Sequence, residues 1–188
     1  DGCLHHGVGR LIYVSSPSVI FDGRDHNEID ESHPYPQRFT SAYAATKKVG
    51  EDLVNAAHRQ GLPTVILRPK AIFGPGDRAL LPRLIERARQ GRLPQIGNGH
   101  NLVDLTYVDN VVHALLLAAQ ADAAVGKTYF ITNGEHCPLW PTIRRVLAQL
   151  QLSTALRQIP VGLALLIARL LELNARRTAR EPLLTCYT

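Results

Sequence analysis

An α/β fold built on a parallel sheet is what this 188-residue chain predicts, and three observations carry the prediction. Two short apolar runs, Leu11-Ile-Tyr-Val14 and Thr64-Val-Ile-Leu67, are rich in β-branched residues and read as strands covered on both faces. Between them, residues Ser41 to His58 place Ala42, Ala45, Val49, Leu53 and Ala57 at helical spacing. Each run also stops at a loop of polar or turn-forming residues, Ser15-Ser16-Pro17 after the first and Arg68-Pro69 after the second. A strand, a helix and a strand joined over this length predict a right-handed crossover between parallel neighbours.

The elements follow in order. Asp1 to Gly7 reads as the last turns of a helix, so the chain is expected to begin inside a domain. Phe21 to Thr40 is polar, unperiodic and rich in Asp, Glu, His and Pro, which predicts a surface loop at the border of a cleft. Thr40 or Ser41 can cap the helix that follows, and Gly61-Leu-Pro closes it. After the second strand, Lys70 to Asp77 is expected to be a loop. Leu80 to Gln90 predicts an amphipathic helix, Pro94 to Gly97 an extended piece and Val103 to Val108 a strand. Asp109 then stands as the N-cap of an apolar helix from Val111 to Ala121. Thr128 to Ile131 predicts a further strand and Leu139 to Gln151 a further helix. Val161 to Leu173 is apolar nearly all round, yet Arg169 and Glu172 interrupt it and it falls short of the about 20 residues of a membrane span. It is expected to be a buried or packing helix, with a wall of an apolar substrate pocket or a peripheral membrane contact through 161–173 as the sharper alternatives. Arg176 to Thr188 shows no closing element. The domain expectation is a sheet region over 1–79 and a smaller lobe over 80–188, with about 103–121 returning to the sheet.

Composition narrows the function classes. An apolar fraction of 45% and 20% charged residues are those of a soluble globular protein. The net charge of +5 comes from scattered basic residues without an aromatic-interleaved patch, which argues against nucleic acid as a partner. Three cysteines, Cys3, Cys137 and Cys186, are too few and too far apart for a disulfide framework or a zinc site, so a reducing cytoplasm is expected. The eight histidines show no metal-ligand spacing, His5-His6 being expected to face solvent, and no metal site is expected.

The chemistry concentrates in Tyr43-Ala-Ala-Thr-Lys47 and Ser16. On a helix Tyr43 and Lys47 lie four apart and share a face. A free phenol loses its proton only near pH ~10, so a tyrosine acts as a general base at neutral pH only beside a fixed positive charge, which Lys47 can supply. A hydroxyl from Ser16, arriving at the end of a strand, can hold a carbonyl or alcohol oxygen while Tyr43 exchanges a proton with it. The carboxyl ends of parallel strands are where open α/β sheets bind ligands.

Leu11-Ile-Tyr-Val-Ser-Ser-Pro-Ser-Val19, Tyr43-Ala-Ala-Thr-Lys47, Leu67-Arg-Pro-Lys-Ala-Ile-Phe-Gly-Pro-Gly-Asp77 and Asp104-Leu-Thr-Tyr-Val-Asp-Asn-Val-Val112 together resemble the extended short-chain dehydrogenase/reductase superfamily, in its order and spacing over nearly the whole chain. The resemblance implies the C-terminal part of a doubly wound, Rossmann-type sheet with a small mixed α/β substrate lobe, and a nicotinamide cofactor, NAD or NADP. It implies Tyr43 as catalytic acid/base, Lys47 favouring loss of its proton and bonding the nicotinamide ribose, and Ser16 orienting the reacting oxygen. Pro69, Lys70 and Ile72 match the loop beside the nicotinamide. Enzymes of the superfamily that act on nucleotide sugars usually carry Asn where Ala71 stands and Arg where Val103 stands. Ser15 to Gly23 and Thr106 to Asn110 look more like the branch of 3β-hydroxysteroid and sterol-4-carboxylate dehydrogenases, whose bacterial relatives include β-keto acid reductases. The implied activity is interconversion of a secondary alcohol and a ketone on a small apolar substrate, and a homodimer is implied by family habit. A nucleotide-sugar epimerase or dehydratase with the same triad is one alternative, and a non-catalytic truncated fragment or pseudoenzyme is another. The superfamily's Gly-x-x-Gly-x-x-Gly fingerprint, expected roughly a hundred residues before Ser16, does not occur in these residues.

Overall fold

The computed structural model describes residues 2–78 and 80–168. In chain order the elements are α1 (Gly2–His5), β1 (Leu11–Val14), a 3-10 turn (Pro17–Ile20), α2 (Ala42–Arg59), β2 (Thr64–Pro69), β3 (Ala71–Phe73), α3 (Leu81–Arg89) and β4 (Pro94–Ile96). They continue with β5 (Leu102–Tyr107), α4 (Val108–Gln120), β6 (Thr128–Ile131), β7 (His136–Pro138), α5 (Leu139–Gln149) and β8 (Arg157–Ile159). Two compact units result. The first takes the chain up to Pro75 together with Asp104–Glu135, and the second takes Gly76–Val103 and the described residues from His136 on.

In the first unit β1, β2 and β6 form a parallel sheet with β2 in the middle. The register pairs Leu11 with Thr64 and Val14 with Leu67 on one side, and Ile66 with Thr128 and Pro69 with Ile131 on the other. All six β2 residues are buried, as a central parallel strand with both faces covered requires. Side chains alternate across it. Val65 and Leu67 face α4, where they pack with Ala114, Leu115 and Ala118. Ile66 and Arg68 therefore project to the opposite face, where α2 lies with Ala44, Glu51 and Val54 buried. Arg68, expected to end the strand and open a loop, is instead a buried strand residue.

Helix α2 starts and stops for local reasons. The Ser41 hydroxyl accepts from the Ala44 N–H at 3.1 Å, an N-cap that satisfies one of the free donors of the first turn. At the other end Gly61 adopts φ +98°, with Gly61 N–H on His58 O and Leu62 N–H on Ala57 O, the paired bonds of a left-handed glycine cap. The polar segment 21–40 has no regular element, as expected, but it is tied down. Glu31 accepts from the Phe130 N–H of the outer strand β6 at 2.6 Å, and Tyr35 reaches the core side of α2.

Two expectations need correction. Lys70 to Asp77 is not wholly loop, because Ala71, Ile72 and Phe73 form β3 and pair in parallel with Leu105, Thr106 and Tyr107 of β5. Four residues between a proline and a Gly-Pro-Gly turn, three of them in the strand, are too few to announce it. Asp109 is not the N-cap of α4. The helix starts at Val108 after an extended Tyr107, so Asp109 sits in the first turn, where its carboxylate favours the positive end of the helix dipole.

The second unit is organised on Trp140, Ile143 and Leu147 of α5 with Ala88 of α3, flanked by Leu84, Leu93, Ile96, Leu152 and Leu156. Strands β4 and β8 pair in parallel, Pro94 with Arg157 and Ile96 with Ile159. The Trp140 indole N–H donates to Asn101 at 3.2 Å, so its polar atom is satisfied while its rings are buried. Residues 161–168 are helical, with Ala164 and Ala168 buried and Val161, Leu163, Leu165, Leu166 and Ile167 exposed. The expected continuation to Leu173 and the tail beyond it lie outside the described residues. Among the described residues no helix is long and apolar enough to cross a membrane.

Candidate active site

The carboxyl ends of β1 and β2 build the site from two neighbouring strands. Because Val14 pairs with Leu67, Ser16 and Pro69 stand two residues past equivalent positions on adjacent strands. Ser16 caps the short turn Pro17–Ile20. Its Oγ accepts from the Ser18 N–H at 3.2 Å and the Ser18 hydroxyl at 2.9 Å, so its own proton remains free to be donated to another oxygen.

Helix α2 brings the other two residues to that strand end. Lys47 Nζ donates to the Val14 carbonyl at 2.9 Å, two residues before Ser16. The same ammonium lies 5.9 Å from the Tyr43 ring centroid and 5.2 Å from that of Tyr13. Tyr43 is 55% exposed, on the open side of the helix. The Lys47 ammonium is thus fixed at the end of β1 with the Tyr43 ring beside it, and Ser16 follows two residues along the chain. The helix approaches that strand closely at Gly50, where a Cβ would stand 2.1 Å from the Tyr13 hydroxyl. Only a residue without a side chain lets the Tyr13 ring lie there.

No carboxylate of the described residues pairs with Lys47. Two of its three ammonium donors are therefore free. Its neighbour Lys48 is different: it pairs with Asp52 at 2.5 Å, one turn on.

The remaining expected cofactor residues lie at the end of β2 and beyond it. Pro69 closes the strand and is buried. Lys70 pairs with Asp104 at 3.2 Å, and its ammonium lies 5.3 Å from the Phe130 ring centroid. Ile72 is 41% exposed on β3. Gly74, φ +147°, lets the next turn pass within contact of Val108 and Tyr107, where a Cβ would meet Val108 Cγ1 at 2.6 Å.

Sequence reasoning did not single out the buried cluster behind this site. Arg68 grips Glu51 with two bonds, Nε to Oε1 and Nη2 to Oε2, both 2.8 Å. Tyr35 donates to Glu51 Oε2 at 2.7 Å and accepts from Arg68 Nη2 at 2.8 Å. Burial pushes the Glu51 carboxyl up, but hydrogen bonds from Arg68 and Tyr35 and the guanidinium charge outweigh it and hold it below the ordinary carboxylate range. Burial and the adjoining carboxylate push the Tyr35 phenol up to about 12, so it stays a donor. Burial, then the Glu51 charge, also raise the Tyr13 phenol. The available signals were an arginine directly after an apolar strand run and a glutamate four residues past Lys47.

Residues 1–160 match the family described as the 3-beta hydroxysteroid dehydrogenase/isomerase family. The chain is 45% identical over 185 residues to a 3beta-hydroxysteroid-dehydrogenase/decarboxylase isoform 1 of Arabidopsis thaliana, covering 92% of this chain and 42% of that protein. It is 47% identical over 156 residues to a 2-alkyl-3-oxoalkanoate reductase of Stenotrophomonas maltophilia, covering 78% and 46%. Among solved structures, MoeE5 in complex with UDP-glucose and NAD superposes with a TM-score of 0.68 at 29% identity, covering 84% of this chain and 54% of that one. The chain thus spans about half the length of the curated relatives it matches.

Proposed function

The chain belongs to the 3-beta hydroxysteroid dehydrogenase/isomerase family, and from that premise we propose that it carries the proton-transfer half of an NAD(P)-dependent oxidoreductase that interconverts a secondary alcohol and a ketone on an apolar substrate. The observation that carries the proposal is the Lys47 ammonium, held beside Tyr43 by the neutral Val14 carbonyl rather than by an acid.

The residues present fit the nicotinamide end of such a cofactor. Lys47 keeps free donors for the ribose hydroxyls, Tyr43 is open, and Ile72 offers exposed apolar surface on β3, while Pro69 is buried at the end of β2. A bound nicotinamide supplies or accepts the hydride. In the reducing direction Tyr43 Oη gives its proton to the substrate carbonyl oxygen, and in the oxidising direction it takes the alcohol proton. The Ser16 hydroxyl donates to that same oxygen and favours the charge that gathers on it. The fixed positive charge of Lys47 favours the phenolate left by the transfer.

The named relatives support an apolar substrate, a 3β-hydroxysteroid or a 2-alkyl-3-oxo acid. The MoeE5 likeness raises the nucleotide-sugar alternative. Against it, Ala71 and Val103 offer a diphosphate no hydrogen bonds from their side chains. The test is consumption of NADH or NADPH by a full-length form that joins this chain to a dinucleotide-binding half, in the presence of 3-oxosteroids, 2-alkyl-3-oxo acids or UDP-glucose. Turnover of the first two, lost in Tyr43→Phe, is the expected result; turnover of UDP-glucose alone overturns the substrate reading, and unchanged turnover in Tyr43→Phe overturns the mechanism. The exposed apolar side chains of helical residues 161–168 support the peripheral lipid contact expected from the sequence, which co-sedimentation with liposomes checks.

A further inference from the structure

Lys47 and Glu51 stand four apart on α2, the spacing at which a lysine and a carboxylate normally meet. One residue on, Lys48 and Asp52 have the same spacing in the same order and do meet, at 2.5 Å. Lys47 and Glu51 do not. The Glu51 carboxylate is turned into the core, where both of its oxygens are taken by Arg68 and one also by the Tyr35 phenol. We propose that Arg68 is a positioning residue for the catalytic pair: by gripping Glu51 it withholds the one carboxylate that helix geometry would otherwise deliver to Lys47, and so keeps the ammonium's charge directed at Tyr43. This inference rests on the reading of Tyr43 and Lys47 given above.

Several observations agree with it. Arg68 is 2% exposed and Glu51 fully buried, so neither serves solvent or a surface contact. Arg68 Nη1 has no hydrogen-bond partner among the described residues, so the guanidinium bonds only to Glu51 and Tyr35 there. Its guanidinium is fixed by Glu51 and Tyr35 and flanked by the rings of Tyr35 and Phe130, 5.4 and 5.6 Å away. The Tyr13 ring centroid lies 5.2 Å from the Lys47 ammonium.

The charged and titratable groups around the pair come from each packed element. They are Tyr13 on β1, Arg68 on β2, Tyr35 on the 21–40 segment, and Tyr43, Glu51 and the mutually neutralised Lys48 and Asp52 on α2 itself. The Pro17–Ile20 turn contributes none. Only Glu51 is an acid of α2 within one turn of Lys47 that has not already paired with another residue of the helix.

Three variants of the chain test this: Arg68→Met, Arg68→Met with Glu51→Met, and Arg68→Gln, which keeps an amide donor for Glu51 without its charge. The primary readout needs no turnover: a crystal structure, with lysine side-chain NMR, reports which oxygen holds Lys47 Nζ. In Arg68→Met, and in Arg68→Gln should the first not fold, Lys47 is expected to leave the Val14 carbonyl for Glu51. In the double variant, where the buried pair is replaced by apolar side chains of similar length, it is expected to stay on Val14. Lys47 remaining on Val14 in a folded single variant overturns the proposal, as does its departure in the double variant. Where turnover is measurable, the single variants lose about 10-fold or more in kcat, part of the roughly 10²–10⁴-fold that general acid–base catalysis contributes. The double variant regains most of it, and the acid limb of the kcat pH profile follows the same pattern, which a merely structural role would not produce. Absence of turnover in a full-length form that joins this chain to a dinucleotide-binding half overturns the oxidoreductase reading and leaves the Lys47 position to decide this one.

Discussion

Two consecutive turns of α2 present the same arithmetic in opposite settings. Tyr43 and Lys47 lie on the turn that opens to solvent, a cation beside a phenol with no acid nearby. Glu51, one turn further, is closed off, its charge matched by Arg68 and its lone pairs filled by Arg68 and Tyr35. A spacing of four residues thus yields a reactive face where solvent and ligand can enter, and a staple between helix and sheet where they cannot. What separates the outcomes is which strand residue faces each turn: a backbone carbonyl for Lys47, a guanidinium for Glu51.

The contrast is broken most severely at the open turn. Tyr43→Phe should lower turnover by about 10²–10⁴-fold, because the proton loses its carrier. Its unfolding free energy should change by less than about 0.5 kcal/mol, since the side chain is largely exposed. Steady-state kinetics and urea denaturation measure the two numbers, and a large stability loss would mean the turns are less separate than described.

At the closed turn the expected loss is in stability. Glu51→Ala strands the Arg68 charge in the core and should cost about 3–5 kcal/mol in urea unfolding. The sign of its pH dependence follows from the lowered Glu51 pKa. The stabilisation is fully present above the ordinary carboxylate value of 4.5 and is lost as pH falls through the lower folded value. Denaturation midpoints between pH 7 and pH 3 should fall in the parent protein, and that part of the fall should be missing in Glu51→Gln.

Gly50→Ala probes the contact between the two turns and β1. Alanine gains about 1 kcal/mol of helix propensity over glycine. Against that stands a Cβ 2.1 Å from the Tyr13 hydroxyl and 2.6 Å from its ring, overpacking of about 1–3 kcal/mol. A net destabilisation of about 1 kcal/mol is expected from thermal or urea unfolding; a stabilised variant would show that the ring moves aside at no cost. The smallest effect belongs to Lys48→Ala, about 0.3–0.5 kcal/mol for an exposed pair one turn apart.

Much of this was written in the sequence in local terms. The runs at Leu11 and Thr64 gave strands because β-branched residues in a short apolar stretch have few other uses, and Ser41 gave the helix start because its hydroxyl satisfies a specific donor. The Tyr43, Lys47 and Ser16 constellation was also legible, since helical spacing and strand ends place side chains without reference to the rest of the fold. Arg68 was not. A charged residue after an apolar run looks like the end of burial, and only its partner, 17 residues earlier on a helix that packs over it, reverses that reading. Strands β3, β7 and β8 have three residues each and exist because of their neighbours. Tyr35 and Glu31 stand in a segment with no period at all, and their anchoring depends on where the sheet places Arg68 and the Phe130 N–H.

Glu31 has a consequence of its own. By taking the Phe130 N–H at 2.6 Å, its carboxylate occupies a rung on the outer strand that another extended chain could otherwise grasp. A side chain from an irregular segment thereby acts as a stopper against polymer growth.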